Sequence, residues 1–401
     1  MPPASKLASF NQSPTEPDFV QNPYVFYDET RATGPFFYWQ DYGLTCTTSH
    51  SAISTLLRDR RLGREAPAHL RTLVAPHTKP FYDIEAHSML ELESPVHSRL
   101  RGLVLRAFTS RRIVSLQPEI AALSHQLAAT LPKKGFDLLP HFAQKLPVII
   151  IARLLGVPEE MAPQLLTWSR AMVGMYMANR NHERELAAAQ AAAEFSDFLQ
   201  IYLKNRAASP KDDLISHLIA AEQEGQRLSE AEMISTCILL LNAGHEATVH
   251  SIGNGVKAIL ESPGSTNALA PDHIEVLVEE ILRYDPALHM FTRYAYEDVE
   301  IMGNVIPKNS QIGLLLGAAN RDPNTYERPH FFAPHRVSKA HTTFGAGVHF
   351  CLGAPLARLE MQIALPILFE HHPHLNFAVP PKYADVYHFH GLESLMLQPG
   401  L

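Results

Sequence analysis

At 401 residues the chain is long enough for a large buried core, and 46% hydrophobic against 19% charged residues describes a globular protein, not a disordered one. A formal net charge of -7 argues against a general nucleic-acid binder, and three distant cysteines, Cys46, Cys237 and Cys351, argue against a disulfide framework or a zinc ribbon. The start MPPASKLASF lacks the apolar core of a signal peptide, and the longest apolar run, LPVIIIARLLGV, is too short for a bilayer and holds Arg153, so a soluble, cytoplasmic protein is expected.

Residues 1–17 read as a poorly ordered tail. The first fifty residues, with short alternating runs such as GPFFYWQDYGLTCTT among prolines, read as strands and turns. From about Ser94 to Leu260 the pattern is mainly helical. Ser229 and Glu232 form an S-x-x-E capping box, and the apolar pattern then runs through MISTCILLLNAGHEATVHSIGNGVKAIL to Pro263. Such a helix spans roughly 45 Å and is apolar nearly all round, which places it at the centre of the molecule. A helix over HIEVLVEEILRYDP follows, then strands and turns over TRYAYEDVEIMGNVIPKNSQIGLLL, punctuated by Gly303 and Pro307. NRDPNTYERPHFFAPHRVSKAH, with Pro323, Pro329 and Pro334, has no sustained period and reads as an irregular but not disordered passage. A last helix, CLGAPLARLEMQIAL, is expected to start at Cys351 with Pro355 in its first turn. Without a repeat or a clear linker, the expectation is one domain over 1–401, mainly α with smaller β regions.

A thiolate at a helix start faces unpaired N–H groups and the positive end of the helix dipole, and both lower its pKa. Gly345 and Gly347 permit a tight turn before Cys351, and Gly353 permits close approach of a flat partner. On the residues alone three readings stay open: a buried structural thiol, a metal site with His341 and His349, and a nucleophile. The second lacks a fourth ligand and the third a partnered base.

The whole string TTFGAGVHFCLGAPLARLEM resembles the cysteine-ligand loop of the cytochrome P-450 family, F-G-x-G-x-H-x-C-x-G, matching at Phe344, Gly345, Gly347, His349, Cys351 and Gly353, with Ala354 beyond. The resemblance implies the cytochrome P-450 fold, with the long central helix over haem b and the cysteine loop below. It makes Cys351 the thiolate ligand of the iron, with Phe344 shielding the sulfur and His349 donating to a haem propionate. Glu280 and Arg283 in EILR, with Arg336 in FFAPHR, match the family's Glu-Arg-Arg network. His97 and Arg101 in ESPVHSRLRGLV, and Arg293 in TRYAYEDVE, match its other propionate partners.

LNAGHEATVH resembles the family's oxygen-binding motif, A-G-x-[DE]-T-T. Ala243 and Gly244 would leave room above the iron, and Glu246 would handle protons. Ala247 stands where the family usually has a threonine of the proton relay, and Thr248 points about 100° further round the helix. Protons are therefore expected to arrive through Glu246 and ordered water, helped by a hydroxyl on the substrate.

By the same resemblance the protein is a monooxygenase that inserts one oxygen atom of O2 into an apolar small molecule, by hydroxylation or epoxidation. Phe81, Tyr82, Met89, Met172, Met175, Asn242, Leu288, Met290 and Leu392 stand at substrate-facing positions. The chain has no flavin or iron–sulfur segment, so electrons would come from a ferredoxin and its reductase, docked on Arg99, Arg106, Arg111, Arg112 and Arg358. A monomer is expected, with no nucleic-acid or membrane partner. The alternatives are oxidative coupling, desaturation or peroxide-driven oxidation on the same fold, and a non-catalytic haem protein that senses or carries a ligand.

Overall fold

The computed structural model describes residues 7–71, 73–222, 225–337 and 340–400. Its organising element is the helix Glu230–Glu261, 32 residues long. The capping box starts it: Ser229 Oγ accepts from the Glu232 N–H at 3.2 Å, and the Glu232 carboxylate accepts from the Ser229 N–H at 2.9 Å. At 1.5 Å per residue it runs roughly 48 Å. The helices Lys145–Leu155, Ala162–Val173, His182–Ala208, Ile274–Tyr284 and Ala354–His371 all pack on it. Enclosure from several directions explains why Cys237, Ile252 and Val256 are all fully buried. Among the described residues, no helix is long and apolar enough to cross a membrane.

Beside this helical body lies a six-stranded mixed sheet with the order Ala8–Phe10, Phe36–Trp39, Leu44–Thr47, Gln311–Leu315, Met290–Ala295 and Leu62–Gly63. The antiparallel register of Met290–Ala295 on Gln311–Leu315 pairs Arg293 with Ile312. Alternation along that strand then sends Phe291 and Arg293 to one face and Met290 to the other.

Three expectations need correction. Ala8–Phe10 pairs in parallel with Phe37–Trp39, so the expected tail does not extend to residue 17; residues 1–6 lie outside the described residues. Pro17–Gln21 and Tyr24–Arg31 are helices, not strands and turns. Their Phe19, Phe26 and Tyr27 pack on Phe37 and Trp39, and that aromatic cluster outweighs a weak local pattern. The last helix begins at Ala354, three residues after Cys351, with Pro355 in its first turn, and continues through Pro366 to His371.

The irregular passage from 320 to 345 is held by polar anchors rather than by a ladder. Glu280 and Arg283, both fully buried on the helix Ile274–Tyr284, form a two-pronged ion pair at 2.7 and 2.8 Å. Arg283 Nη1 also donates to Asn320 O at 2.8 Å and to Pro329 O at 3.0 Å, while Arg336 Nε reaches Glu280 at 3.1 Å. Ser338 and Lys339 lie outside the described residues. Removing one partner of such a pair strands a buried charge. Glu280→Gln is expected to cost about 3–5 kcal/mol in urea unfolding, whereas Asp83→Asn, which breaks the exposed Lys79–Asp83 pair, should cost under about 1 kcal/mol. Equal costs would refute the structural role assigned to Glu280.

Candidate functional site

The cysteine loop hangs from this network. Asn320, fully buried, accepts from the Thr342 N–H through Oδ1 at 2.8 Å, and its Nδ2 donates to Thr343 Oγ1 at 2.9 Å. Thr343 Oγ1 in turn donates to Leu282 O at 2.7 Å. From there the chain turns sharply, with Gly345 and Gly347 at φ of +68° and +71°. A Cβ on Gly347 would lie 2.4 Å from Leu57 O, so no other residue fits. The turn closes with the Cys351 N–H donating to Phe344 O at 2.9 Å.

Cys351 is exposed, the only one of the three cysteines that is. Its sulfur is nevertheless crowded by protein, and that poor solvation pushes the thiol above its ordinary value. The N–H groups of Gly353 and Ala354 and the charges of Arg101 and Arg358 act in the opposite direction. The depressed pKa expected at a helix start is therefore not found, because the poor solvation of the sulfur outweighs those N–H groups and charges. A Cβ on Gly353 would meet only the Cys351 sulfur, at 3.9 Å, so the backbone there stands open. A crowded thiol with one open side suits a metal ligand, since a bound cation expels the thiol proton outright.

Cationic side chains gather nearby. The rings of His97 and His349 lie 4.3 Å apart between centroids. Glu93 Oε1 accepts from His349 Nε2 at 2.8 Å and from the Arg64 N–H at 2.7 Å. Burial, then the His349 charge, brings His97 to about 4, and its buried Nδ1 has no partner. Arg293 is buried, and the one hydrogen bond found for it among the described residues runs to its neighbour's carbonyl, Thr292 O, at 2.8 Å. Burial, reinforced by the Arg64 charge, lowers Arg293 to about 9. Arg101 Nη2 donates to Phe350 O at 2.7 Å. The guanidinium groups of Arg101 and Arg293 hold more positive charge than Glu93 can offset, and the unpartnered His97 Nδ1 offers a further polar contact, so an anionic partner fits here: the two propionates of haem b match that need. Glu93, Arg64 and Asn320 escaped the sequence reading. Only Glu93 left a signal, an acid one helical turn before His97.

On the central helix, Ala243 is exposed and Ala247, one turn on, is half-buried, although both lie in the middle of the helix. The two form a small-residue opening. Gly244 is not part of it, contrary to expectation: a Cβ there would lie 3.1 Å from Ile151 Cγ1, so its smallness serves a close helix crossing. Thr248 is buried. Glu246 lies 3.3 Å from His245 Nε2 and 3.4 Å from His250 Nε2. Burial works to raise the Glu246 carboxyl, but the two imidazoles together hold it well below the usual range. His245 Nδ1 lies 2.8 Å from Leu241 O and must carry a proton to bond there, which turns Nε2 toward the carboxylate. A proton on Nε2 or on Glu246 is then needed to keep two lone pairs from facing each other.

Of the substrate candidates, Asn242 and Leu288 are half-open; Leu288 bridges to Phe389, and the Asn242 Nδ2 contacts Met172 Sδ at 3.7 Å. Tyr82 is half-buried, and its hydroxyl accepts from Arg180 at 3.2 Å. Met89, Met175 and Leu392 are buried with little open surface, and Phe81 and Met172 have essentially none. Met290 is excluded by strand alternation, which packs it with Trp39 and Tyr27. Among the surface arginines, Arg99 pairs with Glu232, Arg112 with Asp212 and Arg358 with Glu279; Arg106 and Arg111 are exposed. A hollow of about 540 Å³ beside the cysteine loop is lined by Arg58, Arg358, His341, Phe344 and Phe350.

Comparison with known proteins agrees with this geometry. The family model described as Cytochrome P-450 matches residues 273–394. The polyketide biosynthesis cytochrome P-450 PksS of Bacillus subtilis is 36% identical, over 94% of this chain and 96% of its own length. The biotin biosynthesis cytochrome P-450 of Bacillus subtilis is 37% identical, over 94% and 96%. The structure of P450BioI in complex with hexadec-9Z-enoic acid ligated acyl carrier protein superposes with a TM-score of 0.90 at 35% identity, covering 95% of this chain and 99% of that one. With a thiol open on one side, buried cations in want of an anion and relatives spanning nearly its full length, the chain belongs to the cytochrome P-450 family of haem b monooxygenases.

Proposed function

We propose that the protein inserts one oxygen atom of O2 into an apolar small molecule, with Cys351 as the thiolate ligand and a ferredoxin as electron donor. The observation that carries this reading is the open thiol of Cys351 on a loop pinned to the buried ion-pair network. When bound, haem b supplies the redox-active iron at which O2 is activated. His97, Arg101, Arg293 and His349 would hold its propionates, which gives Arg293 the anion its burial demands. The gap at Ala243 and Ala247 leaves space for small reactants. An apolar substrate accords with the half-open Leu288 and Asn242, and with the fatty acyl chain named for the similar P450BioI structure.

Proton supply is where this chain departs from the family's usual motif. Ala247 offers no hydroxyl, and the buried Thr248 points elsewhere. Glu246, held well below the usual carboxylate range, keeps a proton poorly on its own oxygen, so it would serve to pass a proton on, with His245 Nε2 at 3.3 Å and water or a substrate hydroxyl as the next carriers.

Three outcomes test the proposal. The reduced protein with carbon monoxide should give the thiolate-type Soret band, and Cys351→His should convert it to the imidazole type; an imidazole-type band in the wild type would overturn the ligand assignment. Ala247→Thr should change coupling of electron consumption to product several-fold, and unchanged coupling and rate would rule out the relay described. Reduction by a small acidic ferredoxin should slow steeply with added salt, and Arg106→Glu with Arg111→Glu should slow it at least about tenfold at low salt; salt independence would count against docking there.

A further inference from the structure

Two clusters of metal-type ligands lie away from the cysteine loop among the described residues. One, Asp285 with His289 and His390, is buried and already committed: both His289 nitrogens face tyrosine hydroxyls, at 3.0 Å from Tyr27 and 3.4 Å from Tyr24. His390 Nδ1 bonds Asp285 at 2.8 Å, and the Arg321 guanidinium stacks 3.4 Å over Tyr24. A cation there would have to displace these hydrogen bonds beside a fixed positive charge.

The other cluster is accessible. We infer that His77, His182 and Glu185 bind one divalent first-row transition ion of the zinc type, joining the segment Pro76–Glu85 to the start of the helix His182–Ala208. His77 Nε2 lies 2.6 Å from Glu185 Oε2, and His182 Nδ1 lies 4.0 Å from the same oxygen. All three donor atoms fall within 4.8 Å of one another, and the two rings are 4.7 Å apart between centroids. Ligand atoms of a tetrahedral zinc site with bonds of ~2.0–2.1 Å lie roughly 3.3 Å apart. Rotation of the largely exposed His182 ring, at 71% side-chain exposure, supplies the adjustment.

The surroundings favour this set. Glu185 presents Oε2 to the histidines because Arg180 occupies Oε1 at 2.7 Å, the kind of outer hydrogen bond that orients a ligating carboxylate. Two imidazoles and one carboxylate suit zinc, cobalt or nickel better than magnesium or calcium, and exposure leaves a fourth position for water. Against binding stand the positive end of the helix and the charge of Arg180; Glu183 and Glu185 in the first turn offset both. The chain leading into that helix already touches the first segment through Arg180 on Tyr82 at 3.2 Å and Tyr176 on Glu85 at 2.7 Å, so the ion adds a further tie beside contacts that exist without it.

The test uses the full-length, haem-loaded protein without a histidine tag, titrated with zinc alone against a chromophoric chelator. Wild type should bind one more zinc per chain than the His77→Ala/His182→Ala double variant, and His182→Ala alone should weaken that site at least tenfold. Wild type and double variant binding zinc with equal stoichiometry and affinity would overturn the site, as would binding of magnesium with comparable strength. Hydrogen exchange over 76–85 should slow with zinc in wild type and not in the double variant; equal exchange would overturn the joining of the segments. Matching thermal melts of the two metal-free proteins establish that the variant is folded.

Discussion

The structure depends on one buried ion pair. Glu280 and Arg283 have no access to water, and a guanidinium in that position is tolerable only if its N–H groups all find acceptors. Arg283 achieves this by reaching out of its own helix to the carbonyls of Asn320 and Pro329. Asn320 then fixes Thr342 and Thr343, and those two carry the turn that ends at Cys351. Electrostatic necessity at one point thus sets the position of a sulfur some seventy residues away, through anchors on the irregular passage that leads to it.

How much of this could be read from the amino acids depended on whether the decisive partner was local. The central helix was legible because its cap, Ser229 with Glu232, and its stop lie within the same segment. The cysteine loop was legible because its glycines and Cys351 are consecutive. The helices at 17–31 were not, since what stabilises them is contact with Phe37 and Trp39 on a strand still to come. Asn320 looks like any loop asparagine until the fold brings Thr342 to it. Gly244 and Met290 show a subtler limit: each occupies a motif position, but Ile151 and the strand register decide what each side chain, or its absence, faces.

The two sides of the site solve opposite problems. Around Arg293 the protein carries buried positive charge with no carboxylate paired to it among the described residues, which is the need an anionic edge of the cofactor would meet. Around Glu246 the two imidazoles of His245 and His250 hold the carboxyl well below its usual range, so the group is satisfied within the protein.

The opening at Ala243 and Ala247 has a consequence for the protein's history. Most positions on the longest helix are wedged against neighbours, where an added methylene forces side chains from their preferred rotamers. Ala243 is exposed instead, so enlargement there presses on no neighbouring helix and is felt by whatever occupies the opening. The innermost wall of the reaction chamber is accordingly among the places where substitutions are least constrained by stability. Divergence toward new substrates can begin at the centre of the molecule and leave its frame intact.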